Sequence, residues 1–377
     1  MNPRAALVAT SIGAGEFLEG YADNFRRFGH IQDVRAYVIP DCKTPPRLYE
    51  RSAALCRAGF DVRCPDIDAQ ERFLSSVGLS TDFVPYNSDN RRNVGYLMAL
   101  ANGCEFVISV DDDNYSLDDV NCFDAHAVVT GAECHAPTMS TVTGWFNLCD
   151  LMRCEPTSRA YPRGFPYAQR HKDAPATAGP GRGRVRLNAG LWLGEPDLDA
   201  ISWLVNPTRT TAVLEERVLL GDRAWTPINT QNTALHRDLV VAYYFLRMGY
   251  PLGGVAIDRY GDIFSGYFVQ KCVRVMGDAI AAGAPAASHR RNRHHYMNDA
   301  WNEWGCILVL EDLLPWLVET TALSSASYGE AYVSLSHAIQ DVVERMNGRI
   351  WTDATRGYFH QMAHYMRTWA GACARVA

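Results

Sequence analysis

No stretch of the 377 residues approaches the roughly 18 apolar residues that cross a bilayer. The N-terminal MNPRAALVATSIGAGEF has only a short apolar run, broken at Glu16. It lacks the h-region and cleavage site of a signal peptide and reads as a first buried strand. Positive charge is not in surplus: the net charge of -6 gives no electrostatic case for nucleic-acid binding. The eleven cysteines include no CxxC pair. Cys149 and Cys154 lie nearest each other and make no zinc site. They read as buried thiols of a reducing cytoplasm. No internal repeat or long low-complexity tract interrupts the chain. Complete glycine motifs are also missing. IGAGEFLEG has Gly13 and Gly15 but Leu18 in the third position, and GPGRGR lacks the lysine–serine ending of a P-loop. What remains is a globular composition, 47% hydrophobic and 21% charged. The size suits one large α/β domain with an appendage.

Apolar periodicity places strands at 5–12, 34–39, DVRCPD (61–66) and 106–110. It places helices at 49–58, 69–79 and 93–103, the last closed by Asn102 and Gly103. Alternating strands and helices imply a mostly parallel sheet with helices on both faces. Ligands of such sheets bind beyond the carboxyl ends of the strands. Thr10, Ser11, Asp41 and the aspartates after residue 110 fall there. Further on, 187–200 reads as a strand and turn, and 171–186 as a basic mobile loop carrying Arg182, Arg184 and Arg186. DLVVAYYFLRMGY (238–250) reads as a strong helix ended by Gly249. From residue 300 the pattern is helical, with Trp301, Trp304, Leu308, Leu310, Leu313, Leu314 and Leu317 available for packing.

FVISVDDDNYSLDDV (106–120) is electrostatically odd, because an apolar strand ends on three adjacent carboxylates. If strand geometry persists, Asp111 and Asp113 point one way and Asp112 the other. A cation makes such a cluster tolerable, and oxygen ligands suit Mg²⁺ or Mn²⁺ bridged to a phosphate. The plainer reading, a helix capped by Ser116 with Asp118 and Asp119 in its first turn, covers 116–119 only. Just upstream, SDNRRNVGYLMAL sets Arg91 and Arg92 between Asn90 and Asn93 at a helix start. Arginines and helix N-termini both receive anions, though a solvated basic turn would look the same.

At VISVDDDNY the chain resembles GT-A glycosyltransferases, whose DxD motif binds a divalent metal and a nucleotide sugar. More specifically it is similar to the reversibly glycosylated polypeptides, the UDP-arabinopyranose mutase family. The likeness continues through RGFPYAQR (163–170), GLWLGEPDLDA (190–200), TPINTQNTALHRDL (226–239) and YGDIFSGY (260–267), over roughly residues 5–300. It implies a GT-A catalytic domain over 1–305, with a nucleotide half to about 120 and an acceptor half from 121. The helical region 306–377 has no counterpart in that likeness.

The same resemblance assigns roles. Thr10, Ser11, Asp41, Asn90, Arg91, Arg92, Asp111, Asp112, Gly190 and Trp192 would bind a nucleotide sugar, UDP-linked by family likeness. Asp111 and Asp113, with His289 as an added ligand, would hold Mn²⁺ or Mg²⁺. His294 is the next candidate ligand. Asp262 would be the base of an inverting transfer to a small-molecule acceptor, with Asp258 its rival and a helix cap the alternative. Arg170 falls where the family carries its glycosylated arginine, so a UDP-sugar mutase glycosylating itself there is the second reading. Arg170 could equally bind diphosphate. SHRRNRHHYMND (288–299) is richer in histidine and arginine than the family pattern, and could be a metal-binding segment, a lid or a basic surface turn. A non-catalytic sugar-nucleotide scaffold is a third reading. For the protein as an enzyme, the expected partners are the nucleotide-sugar donor and a small-molecule acceptor in the cytoplasm, with no nucleic acid and no membrane span, and a homo-oligomer left open.

Overall fold

The computed structural model describes residues 3–172, 175–292, 294–320, 323 and 325–376. Two residues of the 171–186 segment and Arg293 thus lie outside the described residues. The expected α/β core is present. Strands β1 (Ala5–Ser11), β2 (Val34–Pro40), β3 (Asp61–Arg63) and β4 (Phe106–Val110) lie in the order β3-β2-β1-β4, all parallel. Helices α1 (Phe17–Arg27), α2 (Pro46–Arg57), α3 (Ile67–Ser76) and α4 (Arg92–Ala101) connect them. Ala5, Leu7 and Ala9 enter one hydrophobic core, while Ala6 and Val8 enter the other. The sheet is therefore covered on both faces, which its near-continuous apolar strands require. Gly95 lets α4 sit close to the sheet, because a Cβ there would lie 2.5 Å from Val8 Cγ1.

Beyond β4 the sheet becomes mixed. Asn232–His236 runs antiparallel to β4, Val185–Gly194 antiparallel to that, and Ala279–His289 parallel to Val185–Gly194. The C-terminal helices Tyr328–Val343 and Asp353–Val376 pack on the back of the core. There Trp369 Nε1 donates to Val240 O at 3.2 Å and Tyr365 meets Phe83 edge-on. No helix among the described residues is long and apolar enough to cross a membrane.

Four local expectations are corrected. The segment 238–250 is not a long helix. A short 3-10 turn, Arg237–Ala242, is followed by chain without regular secondary structure up to Gly249. Asn93 Oδ1 accepts from Phe245 N, while Asn90 Nδ2 and Asn93 Nδ2 donate to Phe245 O. Tertiary side chains thus satisfy backbone groups that a helix would have paired. No helix starts at Ser116. Asn114–Ser116 is a strand paired with Ala287–His289, and the next helix begins at Cys122 under an Asn121 cap. The described part of 171–186 contains paired strands, Thr177–Gly179 and Arg182–Gly183. Gly181 permits the close approach, since a Cβ there would overlap Thr138. Trp301 and Trp304 do not pack. They are 65% and 43% exposed, because the helix Tyr296–Pro315 turns Cys306, Val309, Leu310, Leu313 and Leu314 inward.

Beneath the second half of the sheet, His126 is fully buried between two amides. Its Nε2 lies 3.0 Å from Asn232 Oδ1, and Asn188 Nδ2 lies 3.1 Å from its Nδ1. Burial, only partly offset by Asn232, pushes its pKa down to about 4 from 6.5. The folded state thus resists a proton that the unfolded chain accepts from pH 6.5 downward. Stability is full above about pH 6.5 and falls by up to about 3 kcal/mol as the pH drops to about 4. Urea unfolding at pH 7 and pH 4.5 should show this loss, and His126→Gln should flatten it. An unchanged slope would refute the assignment.

Candidate active site

A cleft opens where β1, β2 and β4 end at Ser11, Pro40 and Val110. It consists of two adjoining pockets of about 260 and 240 Å³ that share Thr10, Asp89 and Asp112. The second pocket is also lined by Ser11, Ile12, Ile39, Asp41, Lys43 and Arg91. Ile12 is 60% exposed at its wall, which leaves an apolar surface beside the polar strand ends. Asp41 is anchored by Ser88 N at 3.0 Å and Cys42 N at 2.7 Å. Arg91 is held inside by Gln70 Oε1 and by the Tyr86 ring, 5.0 Å from its guanidinium carbon.

The first pocket holds the acidic turn. The strand ends at Val110, so the three aspartates do not alternate; Asn114 N donates to Asp111 O and closes a turn. Each carboxylate meets a different neighbour. Asp111 pairs with buried Arg92, which also donates to Ser109 Oγ, Val110 O and Thr230 O. Burial opposes the charge of Arg92, but Asp111 holds its pKa above the ordinary value. Asp112 accepts from Ser11 Oγ at 2.6 Å. Asp113 Oδ2 lies 3.4 Å from His289 Nε2. Burial would raise the Asp113 carboxyl, but the imidazole beside it holds it below its usual range; burial would lower His289, but Asp113 raises it above its ordinary value.

That last contact follows from strand pairing. His289 pairs with Asn114 in register, so the end of a distant strand abuts the acidic turn. The Nδ1 of His289 faces Glu195 O. A proton on Nδ1 leaves Nε2 toward Asp113, the arrangement that second-shell carbonyls impose on metal-binding histidines. A carboxylate and an imidazole so placed fit two positions around Mn²⁺, with phosphate oxygens and water for the rest. Asp111 is committed to Arg92. Among the described residues no group of three or more His, Cys, Asp or Glu side chains is placed to hold a metal, so these residues could hold one only together with a ligand.

The far wall of the cleft is built from three of the segments that carry the resemblance. Arg163 of RGFPYAQR makes a two-pronged contact with Asp197 of GLWLGEPDLDA at 2.9 and 3.0 Å. It makes a second with Asp262 of YGDIFSGY at 2.8 and 3.2 Å. All three are buried. Burial opposes the charge on Arg163, yet Asp197 and Asp262 raise its pKa well above the ordinary value. Gly164, at φ +87, lets the segment cross the helix Gly261–Val275, where a Cβ would strike Ile263. Asp262 lies in the first turn of that helix and is not its N-cap.

Several expected site residues lie elsewhere. Arg170 lines a separate pocket, stacked 3.7 Å from the Tyr167 ring centre and paired with Asp199 at 2.7 Å. Gly190 and Trp192 do not line the cleft. Trp192 is buried in the core, and Gly190 gives Asn232 the room its amide needs. Asn90 is wholly buried and clamps Phe245. Asp258 does not line the cleft, whereas His294 does and binds Asp299 at 2.8 Å. Sequence reasoning passed over Asp89, Arg163, Asp197, Arg259 and Arg291 of the cleft. Arg163 and Asp197 sit inside motifs already singled out, and that was the available signal. Arg259 had none, since its place depends on a left-handed φ of 62°.

The family model for reversibly glycosylated polypeptides matches residues 49–377. Probable UDP-arabinopyranose mutase 2 of Solanum tuberosum is 25% identical over 320 residues, 83% of this chain and 78% of that protein. UDP-arabinopyranose mutase 1 of Arabidopsis thaliana is 23% identical over 317 residues, 83% and 80% respectively. Glucosyl-3-phosphoglycerate synthase of Mycobacterium tuberculosis, solved with phosphoglyceric acid, superposes with a TM-score of 0.41 at 12% identity, over 85% of this chain and 81% of its own. The 49–377 match takes in the acidic turn, the Arg163–Asp197–Asp262 wall and the C-terminal helices alike, and the chain belongs to the reversibly glycosylated polypeptide family.

Proposed function

We propose that the cleft binds a uridine-diphosphate sugar with Mn²⁺ or Mg²⁺ and breaks the bond between the anomeric carbon and the diphosphate. The observation that carries this is the continuity of the two pockets through Thr10, Asp89 and Asp112. One end offers an apolar wall and Asp41 for a nucleoside. The middle offers Asp113 and His289, and the far end offers Arg163 and Asp262. The uridine is argued from the names of the relatives. A bound cation would neutralise charge that develops on the departing diphosphate. The chain's own groups hold the donor at both ends and keep the sugar against a wall of paired charges.

Two fates of the sugar are open to such a site. In ring interconversion the sugar returns to the diphosphate with a different ring size. In transfer, Asp262 takes the proton of an acceptor hydroxyl. We favour interconversion. Asp262 is already engaged by Arg163 through both oxygens, which makes it a poor free base, and the relatives are named as mutases. If an arginine of RGFPYAQR carries the sugar transiently, Arg163 is the one that lines the cleft, but it would first have to leave Asp197 and Asp262 and give up a proton. Arg170 lies in a separate pocket and would likewise have to leave Tyr167 and Asp199. Incubation with UDP-arabinose and other UDP-sugars, with Mn²⁺ or with EDTA, separates the readings by chromatography. Interconversion yields a new UDP-sugar without free UDP. Release of UDP that requires an added acceptor would favour transfer. Neither binding nor turnover of any donor would overturn the proposal.

A further inference from the structure

Among the described residues, one arginine of the far wall has no carboxylate partner. Arg163 is taken by Asp197 and Asp262, and Arg259 by Asp299 at 3.3 Å and Glu303 at 3.1 Å. Arg291 also lines the cleft, yet among the described residues it has no carboxylate partner, and none gives its buried Nη1 a hydrogen bond. Its guanidinium is held all the same. It lies over the rings of Trp203 at 5.1 Å and Tyr296 at 5.4 Å, and these two rings stack on each other at 5.7 Å. Aromatic faces orient an arginine without neutralising it. A guanidinium that lines a cleft with no carboxylate beside it is a place where an anionic ligand can be received.

The place of Arg291 narrows what that anion is. It does not line the nucleoside pocket, and its guanidinium lies over Trp203 of the helix Ala200–Val205, which follows closely on Asp197 of the far wall. Under the interconversion reading, on which this step rests, the far wall faces the sugar and no acceptor enters. We propose that the sugar subsite takes a carboxylate-bearing sugar, a nucleoside diphosphate uronic acid, and that Arg291 is the partner of its carboxylate. A planar guanidinium and a carboxylate match through two parallel hydrogen bonds.

The test compares UDP, UDP-glucose and UDP-glucuronic acid, the two sugars differing only at the C6 carboxylate. Binding is measured by calorimetry with Mn²⁺ on the native protein, Arg291→Ala and Arg291→Lys. The native protein should bind the uronic acid about tenfold more tightly than UDP-glucose. Arg291→Ala should abolish that preference and leave the affinity for UDP within about twofold. Arg291→Lys should retain part of the preference. Unchanged UDP binding in the variants also shows that they fold. Equal native affinity for the two sugars would overturn the proposal while leaving the donor reading intact. So would an Arg291→Ala loss that falls equally on UDP, which would place the arginine on the diphosphate. Failure of the native protein to bind UDP at all would overturn the donor reading and this proposal together.

Discussion

Replacing Asp113 with alanine should lower metal-dependent turnover at least about a hundredfold, while the fold survives. Under the proposed function, Asp113 and His289, 3.4 Å apart, are the protein's two ligands to the divalent ion. Asp111 cannot substitute without abandoning Arg92, which would leave a buried guanidinium unpaired. A cation held by one remaining protein ligand would bind weakly, and the charge on the leaving diphosphate would be met by water instead. Charge stabilisation of that kind is worth several kcal/mol, hence two orders of magnitude or more. Asp113→Asn should behave similarly, because it keeps the shape and loses the charge. Binding of Mn²⁺ in the presence of UDP, followed by loss of its free paramagnetic signal, gives a readout independent of turnover. Asp113→Ala with native Mn²⁺ affinity would move the metal elsewhere. Asp112→Ala, by contrast, removes only the partner of Ser11 and should leave Mn²⁺ affinity within a few fold.

Arg163→Met should be among the most destabilising substitutions in the cleft. It strands two buried carboxylates, Asp197 and Asp262, whose side chains are 6% and 7% exposed. Breaking a buried ion pair from one side costs about 3–5 kcal/mol, because the remaining charge is desolvated and unmatched. For a chain of this size that is a fall on the order of 5–10 °C in Tm. The pH dependence identifies the cause. In the native protein, burial would raise Asp197, but Arg163 holds it below its ordinary value. That contribution is present above the unfolded carboxylate pKa and is lost as the pH falls through the lower folded value. In the variant, the stranded carboxylates take up protons more readily than in the unfolded chain. The stability gap between native and variant should therefore narrow as the pH falls from 7 toward 4. Adding Asp197→Asn should recover part of the loss. A pH-independent gap would point to lost packing instead of stranded charge.

The sequence was most legible where a single local rule governs. Strands 5–11, 34–40 and 106–110 and helices α2 to α4 follow from apolar period and glycine stops, and they differ from expectation by only a few residues at their ends. It was least legible where a distant side chain replaces a local bond. The 238–250 segment has helical periodicity, but Asn90 and Asn93 take the Phe245 backbone groups that a helix would have paired. A pattern of apolar residues cannot reveal that, because the competing hydrogen bonds come from about 150 residues away. Trp192 shows the converse: its motif was recognisable, but motif identity does not distinguish a wall of the cleft from the core beneath it.

The sequence by itself determined the chemistry on offer: an acidic turn at a strand end, arginines beside it, and the segments that mark the reversibly glycosylated polypeptide family. Tertiary structure alone decided which of these groups meet. It joined Arg163, Asp197 and Asp262 into one buried unit from three separated segments. It brought His289 to Asp113 through the pairing of Ala287–His289 with Asn114–Ser116. It also left Arg170 outside the cleft and Arg291 within it with no carboxylate partner among the described residues. The physical reason is range. Turns, caps and periodicity act over a few residues. The strength of an ion pair depends on burial and on a few ångströms of separation, and those are set by how the distant strands pair.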